Sequence, residues 1–190
     1  RPAITMLAPL RGAVLPQRQA LTLWPGHRFC TQHAAALAAA EMPSLTRLVI
    51  MPTVPDALAL LLRAPWTATL KALSVKCNTR HPAAWMAGLG LEGGGALGAA
   101  AAAAPDVLRL ARADLPVLRD LTLCGFPWTP ADVAALSLAE WVPQLTALQI
   151  SSDGPCLGDA AAARLTALPF RDLRCLEIRG ARFGRQGLAT

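Results

Sequence analysis

The stretch "DLPVLRDLTLCGF", residues 114–126, decides how this chain is read. Behind Pro116, Leu118, Leu121 and Leu123 keep the spacing L-x-x-L-x-L, and a Cys-Gly-Phe turn closes the run. A single run of this kind describes one buried strand of any α/β core. A recurring run describes stacked units, none of which can bury its apolar faces alone.

The frame recurs. "PSLTRLVI" ends at Ile50, "ATLKALSV" at Val75, "PQLTALQI" at Ile150 and "RDLRCLEI" at Ile178. A weaker copy, "PQRQALTL", ends at Leu23 and carries Arg18 in the first leucine slot. The first slots fall at 18, 45, 70, 118, 145 and 173, so the intervals are 27, 25, 48, 27 and 28. Only the 48 departs, and it holds "GLGLEGGGALGAAAAAAP", residues 88–105. That Gly/Ala-rich segment reads as an insertion, with a degenerate repeat as the alternative.

Helix signals lie between the strands. "TPADVAALSLAEWV" offers Thr129 as N-cap, Pro130 in the first helical position and Asp132 to close a capping box. Its Val133, Leu136 and Ala139 share a face. "PDVLRLARADL" places Leu108, Ala111 and Leu115 on one stripe, and "GDAAAARLTAL" aligns Ala161, Leu165 and Leu168. "TQHAAALAAAEM" and "PDALALLLRAP" supply two further helices. Each unit reads as short strand, turn, helix and return, which makes the chain one α/β domain over residues 1–190.

At these residues the chain resembles the leucine-rich repeat proteins, in particular the ribonuclease-inhibitor-like class, whose frame is L-x-x-L-x-L-x-x-N/C-x-L. Leu70, Leu73, Val75 and Asn78 match its first nine positions. Elsewhere Gly26, Thr53, Phe126, Asp153 and Ala181 stand in the asparagine slot, and only Trp128 and Phe183 keep the later leucine slot apolar. The resemblance covers most of residues 15–190 outside the insertion. It implies a horseshoe solenoid with about six short parallel strands on the concave face and helices on the convex one. It also implies a protein-binding scaffold without catalysis of its own. Substrate recognition in a ubiquitin ligase is an alternative role by analogy, although no F-box is visible.

The strand pleat then assigns positions. Slots four and six of each frame point to the core, and slots three, five and seven to the open face. The rungs are Ala20, Thr22 and Trp24; Arg47, Val49 and Met51; Ala72, Ser74 and Lys76; Asp120, Thr122 and Cys124; Ala147, Gln149 and Ser151; Cys175, Glu177 and Arg179. Trp24, Val49 and Met51 form a candidate apolar patch; contact with a preceding repeat would account for them equally. Arg47, Lys76, Asp120, Glu177 and Arg179 form a mixed-charge series able to orient a protein partner. Thr122 and Gln149 complete the candidate face.

A formal charge of +6 suits an acidic partner, and a basic nucleic-acid-associated repeat protein is a second alternative. Its arginines form no dense block interleaved with aromatics, which weighs against it. The five cysteines are odd in number and include no CxxC, which favours a reducing, cytoplasmic setting over a disulfide framework. No signal peptide and no membrane-spanning run is visible. The chain begins with Arg1, and neither end shows a polar capping unit. It is expected to be a piece of a longer array, or to make contacts through its repeat ends.

Chemical motifs are sparse. His27, Cys30 and His33 have spacing open to zinc, with Cys77 as a distant fourth ligand, yet residues of a turn leading into a helix look the same without metal. There is no G-x-S-x-G, and the glycines of 88–98 lack the Lys-Ser/Thr of a phosphate loop. No catalytic residue, cofactor or metal is expected.

Overall fold

The structure, a computed structural model, describes residues 12–23, 31–51, 55–76, 105–126, 128–151 and 159–179. Six strands, β1 (Ala20–Leu23), β2 (Arg47–Ile50), β3 (Ala72–Lys76), β4 (Asp120–Cys124), β5 (Ala147–Ser151) and β6 (Cys175–Arg179), form one sheet. Every pairing is parallel and the spatial order is the chain order. Five helices alternate with them: α1 (Thr31–Ala38), α2 (Pro55–Leu61), α3 (Pro105–Ala111), α4 (Pro130–Leu136) and α5 (Asp159–Thr166). Successive helices touch one another, just as successive strands do. The protein is an α/β fold with an open, all-parallel sheet.

The register joins like with like. Leu21, Leu48, Leu73, Leu121, Leu148 and Leu176 stand in one row across the sheet, and Leu23, Ile50, Val75, Leu123, Ile150 and Ile178 in another. In β2 to β5 both rows are buried, together with the first-slot leucines Leu45, Leu70, Leu118 and Leu145. The apolar stripes of the helices complete the same core, so the helices lie on the face that carries slots four and six. A parallel sheet normally buries both faces. Here the other face, with slots three, five and seven, contributes nothing to the core.

One bonding pattern repeats at all five junctions between strands. The N–H groups of slots two and three both donate to the carbonyl of slot two in the preceding frame. Thr46 and Arg47 bond Gln19, Lys71 and Ala72 bond Thr46, Arg119 and Asp120 bond Lys71, Thr146 and Ala147 bond Arg119, and Arg174 and Cys175 bond Thr146. Where slot two is threonine its hydroxyl joins in: Thr46 Oγ1 lies 3.1 Å from the Gln19 carbonyl and Thr146 Oγ1 3.2 Å from that of Arg119. Ahead of each of the first five strands, the slot-one N–H closes a turn on the carbonyl three residues back.

Two tryptophans tie helix ends to neighbouring frames. Trp66 starts from the 3-10 turn Pro65–Thr69, and its indole N–H donates to the Leu37 carbonyl at 3.3 Å. Trp141, just ahead of the 3-10 turn Val142–Gln144, donates to the Leu110 carbonyl at 3.3 Å. Leu37 and Leu110 lie in the last turns of α1 and α3, where carbonyls lose their helical partners. Both tryptophans stand four residues before a first slot, so they perform one task at two junctions.

Helix α4 starts as its sequence predicts. Thr129 Oγ1 accepts the Asp132 N–H at 3.2 Å, and Asp132 Oδ2 accepts the Thr129 N–H at 2.7 Å. Asp132 is 1% exposed, so its carboxylate is shielded from water while Thr129 lies at the surface. Thr129→Ala should lower stability by about 1 kcal/mol in urea denaturation. A change under a few tenths would deny the box that role.

Helix α3 differs from its expected stripe. It ends at Ala111 and buries Val107, Leu110 and Ala111, while Leu108 is half-buried. Leu115 is buried from the turn that leads to β4, because its N-terminal neighbours Ala113 and Asp114 have already left the helix. Of the Gly/Ala-rich segment 88–105, all but Pro105 lies outside the described residues.

Candidate partner-binding face

The open face is laid out by register in three rows. Slot three aligns Ala20, Arg47, Ala72, Asp120, Ala147 and Cys175. Slot five aligns Thr22, Val49, Ser74, Thr122, Gln149 and Glu177, and slot seven places Lys76, Cys124, Ser151 and Arg179 side by side. Met51 follows β2 in the same slot and is half-buried. Nine of the ten candidate residues therefore fall on one surface; Trp24 lies outside the described residues.

Polar groups on the β4 to β6 half satisfy one another. Thr146 Oγ1 stands 3.1 Å from Asp120 Oδ1 as well as beside the Arg119 carbonyl, so its single proton is shared between two acceptors. Thr122 Oγ1 donates to Gln149 Oε1 at 3.4 Å. Glu177 forms an ion pair with Arg179. On the other half, β1 to β3 carry no carboxylate on this face, and the exposed guanidinium of Arg47 has no hydrogen-bonded or ion-paired partner among the described residues. The mixed-charge series is therefore uneven: its two carboxylates, on β4 and β6, are hydrogen-bonded or ion-paired there, whereas the charged residues of β1 to β3 on this face are Arg47 and Lys76.

Beyond the strands, the chain turns at Gly125, whose φ of 76° suits glycine. Its N–H donates to the Ser151 carbonyl at 2.9 Å. Phe126, in the asparagine slot, and Trp128, in the later leucine slot, are buried with ring centroids 5.9 Å apart. Aromatic packing thus fills the turn that follows β4.

Cys124 is half-buried and Cys175 exposed, both as free thiols in different rows. His33 is buried in α1, whereas His27, Cys30 and Cys77 lie outside the described residues. Among the described residues no three His, Cys, Asp or Glu side chains gather in a metal-ligating group. Nor is any described helix long and apolar enough to cross a membrane.

Sequence reading missed two features bearing on this face. The Thr146–Asp120 bond spans 26 residues, and a guanidinium nitrogen of Arg119 donates to the Gln144 carbonyl, 25 residues on, at 2.8 Å. Only a correct frame alignment could have paired them. Compared with known proteins, the chain matches no family model, and no curated protein is significantly similar to it.

Proposed function

We propose that this chain is a non-catalytic protein-binding module of leucine-rich repeat type, which presents the slot three, five and seven face to a protein partner. The observation that carries the reading is the register: equivalent frame positions meet across all six strands, leaving one face outside the core. Strand-borne side chains are held by the ladder before any partner arrives, which reduces the ordering cost of association. The surface also runs over several frames, so a partner can be read at several points at once. The cytoplasm fits the free thiols of such a protein.

A photo-crosslinking residue tests the assignment. Placed at Gln149 it should form adducts in cells that protease removes and nuclease does not. Placed at exposed Ala163, on α5, it should form few. Thr122→Arg in the Gln149 background should cut adduct yield about tenfold, equivalent to about 1.4 kcal/mol. Adducts of equal yield at both positions would remove the face from consideration, and adducts digested by nuclease would favour the nucleic-acid alternative.

A further inference from the structure

We propose that the cleft between helices α2 and α3 is a seat for a tryptophan side chain of a protein partner, separate from the open face of the sheet. The cleft holds about 890 Å³, inside the usual span of ligand sites, about 300–1,000 Å³. The end of α2 and the 3-10 turn Pro65–Thr69 line one side of it. Helix α3 and the residues that leave it, Arg112 to Asp114, line the other.

The molecule itself shows what fills the corresponding place at two other junctions. Trp66 and Trp141 stand four residues before the first slots Leu70 and Leu145. Each indole N–H bonds a carbonyl eight residues before the preceding first slot: Leu37 before Leu45, and Leu110 before Leu118. At the junction between these two, the position four residues before Leu118 holds Asp114, which is exposed. The carbonyl eight residues before Leu70 belongs to Leu62, and Leu62 and Asp114 both line the cleft.

The Leu62 carbonyl also lacks a second donor that its counterparts have. Leu37 and Leu110 accept, besides the indole, the N–H of the residue three positions on, Ala40 and Ala113. Three positions after Leu62 stands Pro65, which has no N–H to give. Neither an indole nor a backbone N–H therefore bonds the Leu62 carbonyl among the described residues. An indole brings both missing parts: a ring for the apolar lining of Leu60, Leu62, Ala64 and Pro65, and a single N–H donor.

Charge bears on what flanks that tryptophan. Arg109 is paired with Asp56 at 3.0 Å, joining α3 to α2, while Arg63, Arg112 and Asp114 are exposed. With three guanidinium groups against two carboxylates, the lining is net cationic, which favours acidic over basic neighbours on the incoming segment.

The probe is the peptide Ser-Glu-Trp-Glu-Ser, titrated into the ¹⁵N-labelled full chain up to millimolar concentration. Amide shifts should concentrate at Arg63, Ala64 and Ala113. Putting 1-methyltryptophan, which has no indole N–H, in place of the tryptophan should weaken binding about three- to tenfold, the worth of one hydrogen bond. Ala68→Trp, at an exposed position in the lining, offers the cleft an indole from within and should weaken the peptide, whereas Ala163→Trp on α5 and Thr122→Arg on the sheet should not. No shifts, shifts centred on the open face of the sheet, or equal binding of the 1-methyl peptide would overturn the proposal. Shifts that appear only after Trp85→Ala would assign the seat to the chain's own tryptophan and overturn the partner reading. The Gln149 adducts are read at another surface, so either result leaves the binding face to its own test.

Discussion

Trp141→Ala should destabilise the protein by about 3–5 kcal/mol, the usual cost of emptying a buried aromatic site. Trp141 is only 2% exposed, and its indole both fills space between frames and donates to the Leu110 carbonyl. That carbonyl also accepts the Ala113 N–H, so the indole occupies its second lone pair at the end of α3. Trp141→Phe separates the two roles: most of the apolar contact survives and the bond does not, so a loss of about 1 kcal/mol is expected. Domains are commonly stable by about 5–15 kcal/mol, so the alanine variant should show a far lower urea midpoint. A cost below 1 kcal/mol for Trp141→Ala would mean that the indole is not a tie between frames.

Leu148→Ala and Leu176→Ala should differ severalfold although both occupy slot four. Leu148 is 1% exposed within the sheet, and its truncation should cost about 2–5 kcal/mol through lost transfer energy and a residual cavity. Leu176, in the same row on β6, is 41% exposed, so less apolar contact is removed and water fills the space. A loss near or below about 1 kcal/mol is expected there. Parallel urea titrations decide the matter; equal losses would show that β6 is covered as fully as its neighbours.

The strands were readable because two local signals coincide in them: a period of two in apolar residues, and a constant frame that repeats its turn. That frame alone predicted which residues align across the sheet, down to Thr122 beside Gln149. The start of α4 was readable for a similar reason, since a capping box is complete within four residues. Trp66 and Trp141 were not readable as ties. Their acceptors lie 29 and 31 residues away, and nothing in "APW" or "AEWVP" distinguishes an indole that bonds a neighbouring helix from one that merely fills space. The end of α3 was misread for another reason: Leu115 continues the helical spacing of Leu108 and Ala111 but is buried from a turn. Periodicity records which residues are buried, not which backbone carries them. How the carboxylates of the face are engaged also depended on the bonds of Thr146 and Arg179, which a row of charges does not disclose.

The shared carbonyl at slot two has a consequence for how such a chain can change length over evolution. At every junction the incoming frame finds the same acceptor, and offers the same acceptor to the next. Gaining or losing one complete frame therefore leaves no backbone group at the junction stranded, whatever side chains the frame brings. An odd number of residues added inside a frame would turn the leucines after them to the open face and displace the donors. Added in the return between strand and helix, the same residues would only lengthen a loop, and doubling a loop costs about 0.6 kcal/mol. The 48-residue interval between Leu70 and Leu118 fits that rule: the frames on either side keep their register, and Arg119 and Asp120 still meet the carbonyl of Lys71. Whole frames, or residues placed between a strand and the next helix, are thus the increments that this register tolerates.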